Sequence, residues 1–328
     1  KYPEDSAGSI MTTEFIMLRP DMTAEMAIKR IRRTGVDKET IYTCYVSDTD
    51  NKLIGITTVK DLLLADDNAL VKDLMEENVI SVHTLDDQEQ VAKIFQNYNF
   101  LALPVVDKEY RLVGIVTIDD AIDVLQEETT EDIEKMAAVL PSDKPYMKTS
   151  VFGIYKKRAP WLLVLMLSAT FTSAIISSFE NVLASVIVLS SFIPMITGSG
   201  GNAGSQASVS VIRALSLGEV EFKDLLLILW KEFRVAFLCG VTLAAANFIK
   251  LMLFDLNGTP NAFWIALVIS LTLVGTIIMA KLVGASLPLI AGKIGFDPAV
   301  MANPLISTVC DSLSLLIYFG VAKLILHL

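Results

Sequence analysis

Hydrophobic positions along this chain follow two different rules, and the change falls near Tyr155. Before it, short apolar runs alternate with polar turns. "YTCYVSD" (42–48) and "NKLIGITTVKDLL" (51–63) predict two strands and a helix opened by an acidic residue. The same order returns in "LALPVVD" (101–107) and "YRLVGIVTIDDAI" (110–122), with Asp48 and Asp107 ending matched strands. Ahead of each pair, "AEMAIKRIRR" (24–33) and "EQVAKIFQNY" (89–98) carry apolar residues at spacings of three and four, the mark of amphipathic helices. Repeated α–β–β–α units of this size pack as a pair.

After Tyr155 the apolar runs become long. In "YKKRAPWLLVLMLSATFTSAIISSF", Lys156, Lys157 and Arg158 precede Trp161 and an uninterrupted apolar stretch, the edge of a first transmembrane helix. A span needs about 20 apolar residues. Five are expected, near 159–179, 182–200, 232–254, 262–283 and 301–326, with Glu180-Asn181 a tight outer turn. Arg213, Lys223, Lys231 and Arg234 lie between spans 2 and 3, Lys293 lies between 4 and 5, and "DLNGTPN" between 3 and 4 has no basic residue. The positive-inside rule then puts the N-terminal half in the cytoplasm and the C-terminus outside.

Composition agrees with this division. The chain is 53% hydrophobic and 20% charged, too apolar for an ordinary soluble protein and too charged for one that is membrane throughout. Residues 1–150 hold 16 Lys+Arg against 29 Asp+Glu, and residues 151–328 hold 11 against 8. The acidic half argues against nucleic acid as a partner. Cys44, Cys239 and Cys310 form no CxxC, and His83 and His327 form no HExxH. A disulfide framework, a zinc centre and a histidine-based enzyme are all unsupported, so no catalytic residue is assigned. No leader segment is seen ahead of the acidic half, which fits a cytoplasmic location.

Three stretches break the pattern. "DDAIDVLQEETTEDIEK" (119–135) holds eight carboxylates and one lysine, with Asp120, Asp123, Glu127, Glu131 and Glu134 along one helical face. Like charges at that spacing destabilise a bare helix, so the face is either solvated or neutralised by hard divalent cations. "PMITGSGGNAGSQAS" (194–208) puts four glycines, Asn202 and Gln206 at membrane depth, where they must face protein or water. Asn303, Ser307, Asp311, Ser314 and Tyr318 make one polar stripe on an otherwise apolar helix, with Pro304 expected to loosen its turn. A carboxylate at the bilayer centre costs at least ~2.5–3.5 kcal/mol. Asp311 is therefore either paired with Lys281 or part of a cation pathway, and one five-helix unit encloses a pathway better as a homodimer.

The doubled Gly-φ-φ-Thr-x-x-Asp element resembles the cystathionine β-synthase (CBS) domain, a regulatory module. That resemblance implies an adenine-nucleotide role, with ATP as ligand, for Thr58 and Asp61 and for Thr117 and Asp120; helix capping is the alternative. The whole chain resembles the MgtE family of bacterial magnesium channels, through "YPEDSAGSIMT" (2–12), the CBS pair, the acidic helix, "KKRAPWLLVL" (156–165), "GSGGNAGSQ" (198–206) and "DPAVMANPLISTVCDSLSLLIYF" (297–319).

The resemblance implies an α+β cytoplasmic tandem CBS domain pair at 1–72 and 73–124. An acidic plug helix and linker follow at 125–153, then an all-α polytopic membrane domain of five transmembrane helices at 154–328. The family's acidic N-terminal domain is not among these residues. It further implies a homodimer in the inner-membrane lipid bilayer that admits Mg2+ down its gradient. Asp311, Ser307 and Asn303 would hold the ion, and Asn202, Gln206 and Ser314 would line the pore. Glu89, Asp120, Asp123, Glu128, Glu131 and Asp132 would bind regulatory Mg2+. Asn99 stands where the family is expected to have Asp, which implies weaker Mg2+ sensing. The competing reading is a CBS-regulated secondary transporter for another divalent cation.

Overall fold

The computed structural model describes residues 2–142, 144–301 and 303–327; the side chains of Met301 and Asn303 also lie outside it. Two compact units divide at Thr129/Thr130.

The first unit runs α1 (Ala7–Ile10), β1 (Ile16–Leu18), α2 (Ala24–Thr34), β2 (Thr43–Ser47), β3 (Leu53–Thr58), α3 (Val59–Leu64), α4 (Val71–Leu74), β4 (Val82–His83), α5 (Gln88–Tyr98), β5 (Ala102–Val106), β6 (Leu112–Thr117) and the start of α6 (Ile118–Met136). Two three-stranded sheets form, β1-β2-β3 and β4-β5-β6, each with one parallel and one antiparallel pairing. The repeat extends to irregularities. A register shift occurs at Val46/Ser47 in one sheet and at Val105/Val106 in the other. Both long helices are capped: Thr23 accepts from the Met26 N–H, and Asp87 from the Glu89 N–H. Asn99 closes α5 with φ 55° and ψ 37°, left-handed backbone that asparagine tolerates better than most residues.

The two hydrophobic cores exchange segments. A side chain at Gly55 would meet the Met75 Sδ at 2.6 Å, and one at Gly114 would meet the Met11 Sδ at 2.6 Å. Leu74 and Met75 thus pack on the first sheet, while Ala7, Ile10 and Met11 pack on the second. The division at residue 72 describes the sequence repeat, and the cores cross it. A further cluster, including Tyr45, Leu53, Val106 and Ile115, joins the two repeats. Backbone bonds from Leu53 N–H to Tyr110 C=O (3.1 Å) and from Leu112 N–H to Asn51 C=O (3.1 Å) close that junction.

The second unit holds the rest of α6, then α7 (Val151–Ser178), α8 (Glu180–Ser185), α9 (Ile193–Ser216), α10 (Leu225–Lys250), α11 (Ala262–Lys293) and α12 (Asn303–Leu326). Among the described residues, four helical stretches are long and apolar enough to cross a membrane: Val151–Ser178, Phe222–Asp255, Ala262–Lys293 and Pro304–Leu326. α9 is the fifth long helix, made more polar by its Gly, Ser, Asn and Gln residues. The expected span at 182–200 is not one helix. α8 ends at Ser185, a 3-10 turn occupies Ile187–Phe192, and α9 begins at Ile193 with Pro194 in its first turn. Proline lacks the N–H that a first turn leaves unpaired anyway, so it starts this helix there. The glycine-rich stretch therefore lies within a regular helix. Pro304 likewise opens α12 rather than loosening it, and its carbonyl accepts from the Thr308 hydroxyl at 3.0 Å.

Those glycines are a contact seam. A Cβ on Gly204 would stand 2.8 Å from the Cys310 Sγ and from Ile306. A Cβ on Gly284 of α11 would strike the Gly204 carbonyl oxygen. α9 is thus pressed between α11 and α12, backbone close to side chain and backbone close to backbone. Gly198 faces open space. Gly284→Ala is expected to lower the unfolding midpoint of the detergent-solubilised protein, an overpacking cost of about 1–3 kcal/mol. Gly198→Ala should hold or raise the midpoint, since alanine favours helix by about 1 kcal/mol.

Candidate functional site

The polar stripe of α12 has two different ends. Tyr318 is fully buried and donates its hydroxyl to the Leu189 carbonyl at 2.9 Å, beside α9. Ser314 is fully buried, donates to the Cys310 carbonyl and faces Gly200. Ser314, expected to line the pore, has its hydroxyl enclosed by α9 and spent within its own helix. One turn towards the helix start, Asp311 and Ser307 are only partly buried. Both face Gly201, whose missing side chain would lie 3.3 Å from the Ser307 Oγ and 3.7 Å from the Asp311 Oδ1. Asn303 opens the helix, with its side chain outside the described residues.

Lys281 does not neutralise Asp311. Its Nζ lies 3.9 Å from a Glu232 oxygen, an ion pair between α11 and α10 with both side chains largely buried. Among the described residues, Asp311 has no basic partner within ion-pair distance. Asn202 and Gln206 are exposed and line a groove of about 520 Å³ with Leu238, Thr242, Ile277 and Lys281. That groove belongs to α9, α10 and α11, and α12 contributes nothing to it. The structure thus brings Ser307 and Asp311 together and places Asn202 and Gln206 on another face of α9.

In the first unit, Asp119, Asp120, Asp123, Glu127 and Glu39 line a cavity of about 450 Å³ with residues 9–12. Burial pushes the Asp120 carboxyl above its ordinary pKa; the Thr117 hydroxyl, donating at 3.1 Å, opposes this, and the Asp119 and Asp123 charges add to it. The Thr117 hydrogen bond is the main influence holding Asp119 below its ordinary value. This all-oxygen set suits a hard divalent cation. Even so, no three His, Cys, Asp or Glu side chains among the described residues converge tightly enough to form a metal centre. Glu89 pairs with Lys93 at 2.7 Å, and Glu128 accepts from Gln88, which also donates to Asp5.

In the second unit, Asp132 accepts from Ser216 at 3.5 Å, and Glu131 pairs with Lys135. Lys135 also reaches Asp297 at 2.7 Å, in the turn before α12. Burial disfavours the Lys135 charge, but Asp297 and Glu131 outweigh it and hold its pKa above the ordinary value. Lys135 stood out in the sequence as the one base in an acidic helix, yet nothing there pointed to a partner so distant along the chain.

Thr58 and Asp61 form a capping box at the start of α3, each side chain meeting the other's backbone N–H. Thr117 and Asp120 stand in the corresponding relation at α6. The capping role is thus shown for Thr58 and Asp61, while Thr117 and Asp120 share the side-chain bond. A separate cavity of about 240 Å³ lies between the repeats, lined by Thr43, Tyr45, Glu76, Asn78, Tyr98 and Phe100 among others. The Tyr98 and Phe100 rings there are parallel, with centroids 5.5 Å apart.

Residues 193–321, which span the glycine seam and Asp311, match the MgtE family, described as divalent cation transporters. Residues 7–68 and 71–127 match the CBS domain. The magnesium transporter MgtE of Thermus thermophilus is 40% identical over 327 residues, covering 100% of this chain and 71% of the relative. The chain belongs to the MgtE family. A further family relative, the magnesium transporter MgtE of Bacillus subtilis, is 37% identical over 99% of this chain and 71% of its own length. A crystal structure of the cytosolic domain of the Mg2+ channel MgtE in complex with ATP is 46% identical, covering 38% of this chain and half of that one, with a TM-score of 0.37.

Removing one member of a buried ion pair strands the other charge. Glu232→Gln is expected to destabilise the solubilised protein by about 3–5 kcal/mol, read as a lower unfolding midpoint. Glu232→Gln/Lys281→Met should recover most of the loss.

Proposed function

We propose that the chain conducts Mg2+ across the membrane along a path beside α12, with Asp311 as the charge that attracts the ion. The observation that carries this reading is Asp311 itself: a partly exposed carboxylate at membrane depth, set against a glycine, with no basic partner among the described residues. Its cost in the bilayer is offset if a cation is its partner. The full-length relatives named magnesium transporters support the same ion. Mg2+ sheds water reluctantly and keeps octahedral oxygen geometry. A hydrated ion needs only a few well-placed oxygens, and Asp311 with Ser307 supplies them.

A homodimer completes the path. Two copies of α12 across a two-fold axis place two Asp311 carboxylates around one ion, with the first unit in the cytoplasm and the C-terminus outside. Regulation falls to α6. Its carboxylates repel one another: burial already pushes Asp120 above its ordinary value, and the Asp119 and Asp123 charges add to it. Cytoplasmic Mg2+ bound by Asp120, Asp123, Glu128, Glu131, Asp132 and Glu89 relieves the repulsion and closes the path. Asn99, neutral and acting as a helix cap, adds no charge to that sensor. ATP is the nucleotide assigned to Thr58, Asp61, Thr117 and Asp120; the separate Tyr98–Phe100 cavity offers an aromatic surface for adenine but contains none of those four. A carrier for another divalent cation is the second reading, favoured only by the broader description of the family.

Flux assays on the protein in vesicles test the pathway. Asp311→Ala is expected to abolish Mg2+ flux while leaving size-exclusion behaviour unchanged, and retained flux would move the path elsewhere. In bilayer recordings, current should fall as cytoplasmic Mg2+ rises from micromolar to millimolar. A current indifferent to that change would remove α6 from gating and leave the path intact.

A further inference from the structure

We propose that residues 144–158 form a collar that binds anionic phospholipid headgroups selectively, in the leaflet at the N-terminal end of α7. The length of α7 is the starting point. It is one helix of 28 residues, about 42 Å at 1.5 Å per residue. The hydrocarbon layer is about 30 Å thick. The apolar run of α7 starts at Ala159, so its last twenty or so residues fill that layer. The first two turns must project beyond it, into the headgroup region.

What projects is amphipathic. "KPYMKTSVFGIYKKR" (144–158) holds five basic residues and no acidic one. Between them, apolar and aromatic side chains stand open: Met147 is 90% exposed and Val151 87%, with Tyr146, Phe152 and Tyr155 also exposed. Among the described residues, no hydrophobic cluster of the unit includes them. Phe152 and Tyr155 stack with centroids 5.8 Å apart, and the Lys156 Nζ lies 5.1 Å over the Phe152 ring. Aromatic bodies with charged tips suit the headgroup boundary, where one side is apolar and the other wet. Pro160 leaves the Lys156 carbonyl without its helical donor, a group that headgroup water can satisfy.

The charge has somewhere to act. A cavity of about 90 Å³ is lined by Lys144, Tyr146, Thr149, Lys157 and Arg158, with Glu134 as its one carboxylate among the described residues. Glu134 is engaged, accepting from the Ser142 N–H at 2.8 Å, and Lys157 donates to the Pro141 carbonyl. Lys144, Lys148, Lys156 and Arg158 are the bases left to meet headgroup phosphates. Basic residues beside a membrane span attract anionic lipid within a Debye length of the surface.

Trp161 sits just inside this collar and serves as its reporter, with Trp230→Phe/Trp264→Phe removing the other two indoles. The protein is reconstituted in equal mixtures of phosphatidylcholine and phosphatidylglycerol, with bromine placed on one lipid or the other. Quenching by brominated phosphatidylglycerol should reflect local enrichment of about fivefold, the effect of one fully engaged basic residue. The preference should collapse in concentrated NaCl and in Lys144→Gln/Lys148→Gln/Lys156→Gln/Arg158→Gln. Equal quenching by the two lipids, or a preference that survives in the variant, overturns the proposal. The readout involves no transport, so it stands or falls apart from the ion pathway.

Discussion

Close backbone approach along one side of α9 is the constraint on which the membrane unit depends. Lipid tails are as apolar as leucine, so burial of apolar surface gives little drive to bring helices together in a bilayer. Contact distance has to supply the attraction. Gly204 and Gly284 let α9 meet α11 backbone to backbone, and Gly200, Gly201 and Gly204 let α12 meet α9 with nothing in between. Tyr318 then fixes α12 lengthwise by its bond to the Leu189 carbonyl. With spacing and register both set, Asp311 has one place to be: against Gly201, beside Ser307. The carboxylate is a passenger on a glycine seam.

Periodicity made most of the fold legible. The α–β–β–α repeat appeared in the matched strands ending at Asp48 and Asp107, and the structure extends the match to a register shift at the same place in each sheet. The basic residues before Trp161 led to an expected span beginning at 159, whereas α7 already begins at Val151 and carries them within its second turn. The second span was misread because apolar content alone cannot separate a short helix and a 3-10 turn from a continuous helix. Pro194, placed inside the expected span 182–200, begins α9 instead. The stripe on α12 was likewise visible as a stripe, but spacing gives only the face. It does not reveal that Ser314 and Tyr318 are buried by α9 while Asp311 is left partly open. Long-range partners were beyond reach for a simpler reason: Lys135 with Asp297, and Lys281 with Glu232, depend on helices meeting in space.

Two of the ion pairs in the membrane unit play contrasting parts. Glu232 and Lys281 lie between packed helices, where each charge is tolerable only because the other is near. Lys135 and Asp297 sit in a more open place, and Asp297 also accepts from the Ala299 N–H as the chain turns into α12. The first pair restrains the scaffold. The second joins the end of an acidic helix to the entrance of the helix that carries Asp311, so a change in one has a short mechanical route to the other.

The exchange of Met11 and Met75 between the two CBS cores carries a consequence for biosynthesis. Within the first unit, the residues around Ala7 and Met11 have their packing partners on β6, which emerges from the ribosome some hundred residues after them. The first repeat likewise waits for Leu74 and Met75, which follow its last strand. Neither half can therefore close as an independent folding unit in the order of its synthesis. Contacts of such wide sequence separation slow folding and leave apolar surface uncovered in the meantime. The acidic unit must be nearly complete before it becomes compact, and α7, with its demand for a bilayer, emerges close behind.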